Sequence, residues 1–261
     1  MNTVEQGRER EELTRLLSAF KPITLKEMES VQLMSRFDMK YVFRLSQLPA
    51  FLKTVAEDYQ VLLIDGLQLF RYENQYFDTA SLKSYHDHHN SRSSRYKIRY
   101  RRYLDNDKCF LEVKQKINTG LTKKSRLRVA EFKNELSSSE VEFTREQLGV
   151  NPEQLFPQIA NNFSRITLVN IAAGERVTID LLISFKRGVA ERTLNQLVIA
   201  EVKQHHVSSL SVWKKLMQSN RIFPTRISKY CLGTLLTNPG IKYNRFKPKL
   251  TVLKKICDVA Y

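Results

Sequence analysis

The chain is short of acid. Against 43 Lys and Arg it carries 27 Asp and Glu, leaving a formal net charge of +16 over 261 residues. Such an excess points to a polyanionic partner: nucleic acid, an acidic membrane surface or a phosphate polymer. Cysteine is scarce as well. Cys109, Cys231 and Cys257 are odd in number, scattered and without a CxxC pair, which argues against a disulfide framework or a zinc site. Long apolar runs are missing; Val177–Phe185 falls far short of the ~20 residues a membrane helix needs. The opening MNTVEQGREREELTRLL is too charged for a signal peptide. Together these absences read as a soluble, cytoplasmic protein. No GxxxxGK[ST] loop, HExxH pair or Ser-His-Asp arrangement is visible, and no RNP, KH or zinc-finger pattern. At 42% hydrophobic residues the chain is ordinary for a globular protein and long enough to bury a core.

What is present is alternation. Between Arg95 and Lys116 two runs flank the polar tetrad Asp105-Asn106-Asp107-Lys108, suited to a tight turn. Lys97, Arg99, Arg101 and Tyr103 share one parity in the first run; Glu112, Lys114 and Lys116 share one in the second. Residues two apart on a strand share a face. Folded about Asn106-Asp107, the hairpin sets Arg99 opposite Lys114, Lys97 opposite Lys116 and Arg101 opposite Glu112. Like charges directly opposed destabilise a sheet. Either water and salt screen a solvated face, or an anion, such as a chain of phosphates, fills the gap.

The same pattern recurs along the chain. Arg36, Asp38 and Lys40 alternate with Phe37, Met39 and Tyr41; Lys124, Arg126 and Arg128 share parity; so do Arg176, Thr178 and Asp180, and Ile199, Glu201 and Lys203. Helices are expected over residues 4–20, 24–30 (Thr24 and Glu27 forming a capping box), 48–59, 139–148, 152–159 and 209–220. Residues 80–94, with His86, Asp87, His88 and His89, read as a polar loop, since the spacing matches no standard zinc pattern. About eight alternating strands without a βαβ rhythm argue for an antiparallel sheet. Charge on one face of nearly every strand suggests that the sheet closes. The expectation is an α+β fold: a closed antiparallel β tunnel barrel of about eight strands with flanking helices, a water-filled interior and a single domain over residues 1–261. Residues 1–30 form an N-terminal helical segment, and residues 240–261 a basic C-terminal tail.

In this order the motifs RFDMKY (36–41), YFDT (76–79), YHDHHN (85–90), RYKIRYRRY (95–103), LEVKQK (111–116), GLTKKSR (120–126), RVTID (176–180), IAEVK (199–203) and SKY (228–230) resemble the polyphosphate-polymerase domain of the vacuolar transporter chaperone (VTC) type, within the triphosphate tunnel metalloenzymes. The resemblance implies a metal-dependent enzyme that moves the γ-phosphoryl group of ATP onto inorganic polyphosphate. It assigns the catalytic cations to Lys40, Arg99, Arg101, Lys114 and Lys229. Arg36, Lys97, Lys116, Arg126, Arg165, Arg176, Lys203 and Ser228 would bind substrate. Glu201 would hold Mn²⁺ or Mg²⁺, and Asp180 and Glu112 would be backing or structural carboxylates. Glu201 is alternatively the ion-pair partner of a neighbouring cation. Hydrolases of the same tunnel type resemble one another in opening with E-x-E-x-K; here those positions read Arg36-x-Asp38-x-Lys40, which favours holding anions over activating a metal-bound water. The alternatives are a tunnel-fold triphosphatase and a non-catalytic polyanion binder. The membrane segment and accessory domain of the eukaryotic complex are not expected.

Overall fold

The computed structural model describes residues 3–29, 37–149, 154–204 and 211–257. The chain opens with α1 (Thr3–Leu17), the short strand β1 (Lys21–Ile23) and α2 (Leu25–Glu29). At α2 the expected capping box is present. The Thr24 amide donates to Glu27 Oε2 at 2.8 Å and the Glu27 amide donates to Thr24 Oγ1 at 3.3 Å. Then follow β2 (Phe37–Arg44), α3 (Leu48–Val55), β3 (Gln60–Leu62), β4 (Leu69–Asp78), α4 (Lys83–His89), β5 (Arg95–Tyr103), β6 (Lys108–Lys116), β7 (Thr122–Val129) and α5 (Ser138–Leu148). The second half holds β8 (Phe156–Asn170), β9 (Glu175–Arg187), β10 (Ala190–Leu194), β11 (Leu197–Gln204), α6 (Val212–Ser219), α7 (Lys229–Leu236) and α8 (Lys247–Ile256).

Eight strands form one antiparallel path, β2-β11-β9-β8-β4-β5-β6-β7, with β1, β3 and β10 attached at its margins. The expected closure is not made: among the described residues no ladder joins β2 to β7. The outer edge of β2 is met instead by the segment before α7, where the Thr225 amide donates to the Lys40 carbonyl at 2.7 Å. The sheet nevertheless curls. β2 and β6 stand six strand positions apart, roughly 29 Å if the sheet were flat, yet Lys114 on β6 feels the charges of Lys40 and Asp38 on β2.

Helices fill the outside and one end. Leu13, Leu17, Leu48, Leu52, Trp213 and Met217 from α1, α3 and α6 pack on Phe43, Leu168, Ile179 and Val202 of the sheet. Leu148 of α5 joins Ile98, Tyr100, Leu111 and Val113 behind β5 and β6. On the inner side α4, α7 and α8 pack Tyr85, Tyr230, Leu235, Leu250 and Leu253 against Val42, Tyr76, Phe163, Phe185 and Ile199. α7 sits so close to β9 that a Cβ at Gly233 would lie 2.4 Å from the Phe185 ring, so only glycine fits there.

Several local expectations change. Residues 83–89 are helix, because the buried Asp78 carboxylate accepts from the Ser84 and Tyr85 amides at 2.8 and 3.0 Å and so satisfies the start of α4. Residues 156–159 are strand: β8 pairs with β4 from Asp78↔Phe156 onward, and a register irregularity at Tyr76/Phe77 accommodates Pro157. Residues 151–153 lie outside the described residues. The basic segment beyond Lys242 is packed through Phe246, Leu250, Leu253 and Ile256 and is no free tail as far as Cys257.

The hairpin register also moves. Its loop is Leu104–Asp107, flanked by Tyr103↔Lys108. Asp107 takes the left-handed conformation (φ 51°), and Asp105 turns back to β4, accepting from the Arg71 amide and Nε. Centring the turn one residue earlier shifts every pair by two. Arg99 therefore faces Glu112, Lys97 faces Lys114, and Arg101 faces Phe110. A shift of two keeps every side chain on its face but exchanges its partner.

Candidate functional site

The inner face gathers three carboxylates, each held by cations from different elements. Asp180 on β9 is 4% exposed. Its oxygens accept from Arg165 Nε and Nη2 on β8 at 2.6 and 2.8 Å, and from Lys229 Nζ at the start of α7. Glu201 on β11 accepts from Lys40 through Oε1 and from Lys203 through Oε2, the latter at 2.6 Å. Glu112 on β6, 2% exposed, accepts from Arg99 Nε and Nη2 at 2.9 and 2.6 Å, and Lys124 Nζ lies 2.6 Å from Oε1. Burial raises the pKa of all three acids, but their cationic partners outweigh it and hold each well below the usual carboxylate range.

Aromatic rings lie under the guanidinium groups. Tyr72 and Phe163 stack with centroids 5.1 Å apart. Arg101 and Arg165 both lie 5.2 Å from the Tyr72 ring, and Lys229 lies 4.2 Å from Phe163. Tyr76 lies beneath Arg99 and accepts from its Nη1 at 2.9 Å. Arg101 Nε donates to Asn74 Oδ1 at 2.9 Å. Ring faces attract cations without neutralising them, so these contacts fix the guanidinium planes and leave their charge available.

Two neighbouring cations stand apart from these groups. Lys97 and Lys114 are directly opposed on β5 and β6, and among the described residues neither has a carboxylate within ion-pairing distance. Burial, then Lys114, Lys40 and Arg99, bring Lys97 down to about 8. Lys114 is exposed by area but surrounded by other charged groups, and its pKa is lowered by enclosure and by Lys40 and Arg99. Lys124, Lys203 and Lys229 are likewise brought to about 8, chiefly by burial. His88 of α4 borders this cluster; burial and Lys97 bring it to about 3 and keep it neutral. Like charges directly opposed on neighbouring strands repel, and an anion held between them would offset that cost.

The remaining expected site residues are placed as follows. Arg176 lies opposite Lys203 at the half-buried end of β9, and Lys116 lies opposite Arg95 at the end of β6. Arg126 faces Glu112 across β6 and β7, lies 5.1 Å from the Phe110 ring and is exposed. Ser228 caps α7, its Oγ accepting from the Cys231 amide at 3.4 Å; its contact is with the helix. Arg36 lies outside the described residues. Lys124, Tyr72, Tyr76 and Asn74 belong to the site but were absent from the expected set. Parity already put Lys124 on the face of Arg126; the register sets it opposite Lys114, and only its side-chain contact shows that it reaches diagonally to Glu112.

A metal at Glu201 does not fit this donor set as it stands. Both oxygens of Glu201 are engaged by ammonium groups. Among the described residues no group of three or more His, Cys, Asp and Glu converges. The arrangement is that of an ion-pair carboxylate.

The site is thus the inner face of a curled antiparallel sheet, with arginines on aromatic rings and lysines in excess of acids. The chain belongs to the VTC domain family, whose model matches residues 35–238. Among solved structures it is similar to a candidate adenylate cyclase from Bacillus halodurans (13% identity, 75% of this chain and 96% of that one, TM-score 0.45). It is similar also to one from Vibrio parahaemolyticus (12%, 77% and 99%, 0.44) and to a conserved hypothetical protein from Pyrococcus furiosus (13%, 71% and 89%, 0.37). No curated protein sequence matches it.

Proposed function

We propose that the chain is a polyphosphate polymerase that transfers the γ-phosphoryl group of ATP to the end of an inorganic polyphosphate chain. The observation that carries this reading is the opposed pair Lys97 and Lys114, with no carboxylate in ion-pairing distance among the described residues, beside arginines already oriented by Glu112, Asp180 and the tyrosines. Phosphoryl transfer through a loose transition state asks a protein mainly for positioning and charge neutralisation. Arg99, Arg101 and Arg165 offer planar forks for pairs of phosphate oxygens, and Lys40, Lys97, Lys114 and Lys229 offer point charges. In the transfer a terminal oxygen of the chain bonds to Pγ while the bond from Pγ to the bridging oxygen of the β-phosphate breaks. ADP leaves with that electron pair, so one phosphoanhydride is lost and one is made. The cations offset the charge gathering on the leaving oxygens.

A triphosphatase of the same fold is the second reading. Against it stands the capture of the acids: Glu201 by Lys40 and Lys203, Asp180 by Arg165 and Lys229, with Lys203 also directly opposite Asp38. Acids bound to ammonium groups favour holding anions over activating water. Incubation of the protein with ATP and Mn²⁺ separates the readings. Long-chain polyphosphate supports the polymerase, free phosphate alone the hydrolase, and neither product a binder. Arg99→Ala/Arg101→Ala is expected to lower the rate at least about a hundredfold with an unchanged circular dichroism spectrum. Normal turnover in that variant would refute the site.

A further inference from the structure

The stretch after Glu201 contains no acid until Asp258, while residues 202–257 include Lys203, Lys214, Lys215, Arg221, Arg226, Lys229, Lys242, Arg245, Lys247, Lys249, Lys254 and Lys255. Part of this stretch is brought to the start of β5. The Arg245 amide donates to His89 Nε2 at 3.2 Å and Arg245 Nη1 donates to the Asn90 carbonyl at 2.7 Å. Phe246 packs on Tyr85 and His89. These contacts dock the beginning of α8 against the end of α4, just before the chain enters β5 at Arg95. Lys249 lies half-buried over the Phe246 ring, 4.7 Å from its centroid. Enclosure first, then the charges of Arg226 and Arg95, disfavour its charged form. Arg226 follows Thr225, whose amide is bonded to the Lys40 carbonyl. Asp87, the acid of α4, is engaged by Lys83 at 2.6 Å.

Arg95, Arg226 and Lys249 therefore form a second cationic cluster, continuous with the first. Along β5 the residues Arg95, Lys97, Arg99 and Arg101 point to one face at intervals of two. That row is roughly 20 Å long at strand spacing, more than a triphosphate can span. Cys231, in the first turn of α7, lies between the two clusters and feels both Lys97 and Lys249. α8 lies beyond the 35–238 segment that the family model matches, so Lys249 is a contribution of this chain outside that segment.

We infer that Arg95, Arg226 and Lys249 form an outer subsite for the extended part of a linear phosphate chain whose end lies at Lys97 and Lys114. This deepens the polymerase reading and rests on it: the outer subsite selects long chains over short ones and keeps a growing chain attached between transfers. A tethered polyanion gains affinity from a second cluster through its high effective concentration there, without any new contact at the first. An anionic membrane would be met by exposed lysines; here Arg95 and Lys249 are half-buried, and the cluster is in line with the inner row.

The test compares binding of tripolyphosphate and of long-chain polyphosphate, at one fixed salt concentration, to the intact protein and to R95Q/R226Q/K249Q. The intact protein is expected to bind the long chain at least about tenfold more tightly, and the variant to lose most of that gain while its tripolyphosphate Kd moves less than about threefold. R226Q alone, at an exposed position, is expected to lose part of the gain, which keeps the test valid should the triple variant unfold. Equal affinities for the two ligands in the intact protein, or equal losses for both in the variants, overturn the outer subsite and leave the inner site standing. An intact protein that binds neither ligand overturns both readings. Loss of binding to phosphatidylserine vesicles with unchanged polyphosphate binding overturns the subsite in favour of a lipid surface.

Discussion

The two halves of the curled sheet solve the same electrostatic problem differently. In the half built by β8, β9, β11 and β2, Asp180 and Glu201 take up Arg165, Lys229, Lys40 and Lys203 in close pairs. In the half built by β5, β6 and β7, Glu112 serves Arg99 and Lys124, with Arg101 3.9 Å away, and among the described residues Lys97 and Lys114 have no acid within ion-pairing distance. The first half pairs its cations closely with its own acids, whereas the second holds more cations than its one acid can serve.

Removing an acid from the balanced half should have the largest effect. Asp180→Asn leaves Arg165 and Lys229 buried without their partner, and urea unfolding is expected to show a loss of about 3–5 kcal/mol; a loss below 1 kcal/mol would erase the distinction between the halves. A change in the other half should act in the opposite direction. Lys97→Met removes an enclosed cation that repels Lys114, so the free protein is expected to gain roughly 1 kcal/mol. Its affinity for tripolyphosphate should fall about tenfold. A destabilised Lys97→Met protein would mean that an acid partners Lys97 in solution.

The smallest effect expected is that of pH. Lys97, Lys124, Lys203 and Lys229 titrate at about 8 when folded, below the ordinary lysine value of 10.5. Above about 8 the unfolded chain therefore binds more protons than the folded one, and stability rises with pH; below about 8 both states are charged and the cost of burying the charges is complete. From about pH 7.5 to pH 9, short of most thiol and phenol ionisation, the melting temperature of the free protein is expected to rise slightly. The tripolyphosphate-bound protein should move the other way, because deprotonated lysines hold the anion less tightly. Parallel pH profiles with and without the anion would show that it does not bind among these lysines.

Much of this was legible in the sequence, and what was not has a common cause. Parity put Lys97, Arg99 and Arg101 on one face and Glu112 and Lys114 on one face, and the structure keeps them there. Their partners were misassigned, because register follows from how Asp105 and Asp107 bend the loop and from the bond of Asp105 to Arg71 on another strand. The short helix α4 was hidden for the same reason: the cap that starts it is the Asp78 carboxylate at the end of β4, also reached by the Tyr230 hydroxyl of α7. Glu201 shows the limit most plainly. Lys203, two residues on along its own strand, was visible on its face, but its second partner depends on Lys40 lying directly across β11 and β2.

The sequence by itself determined the excess of positive charge, the period of two that segregates it to one strand face, and the motif order that marks the family. These are local or additive properties, and no distant contact can change them. Only the tertiary structure decided that the sheet curls with no ladder closing it among the described residues, that α7 brings Lys229 into the inner face, and that Lys97 and Lys114 face each other across β5 and β6. Those outcomes depend on which residues face one another across strands and helices far apart in the chain, and Coulombic energy depends on those distances.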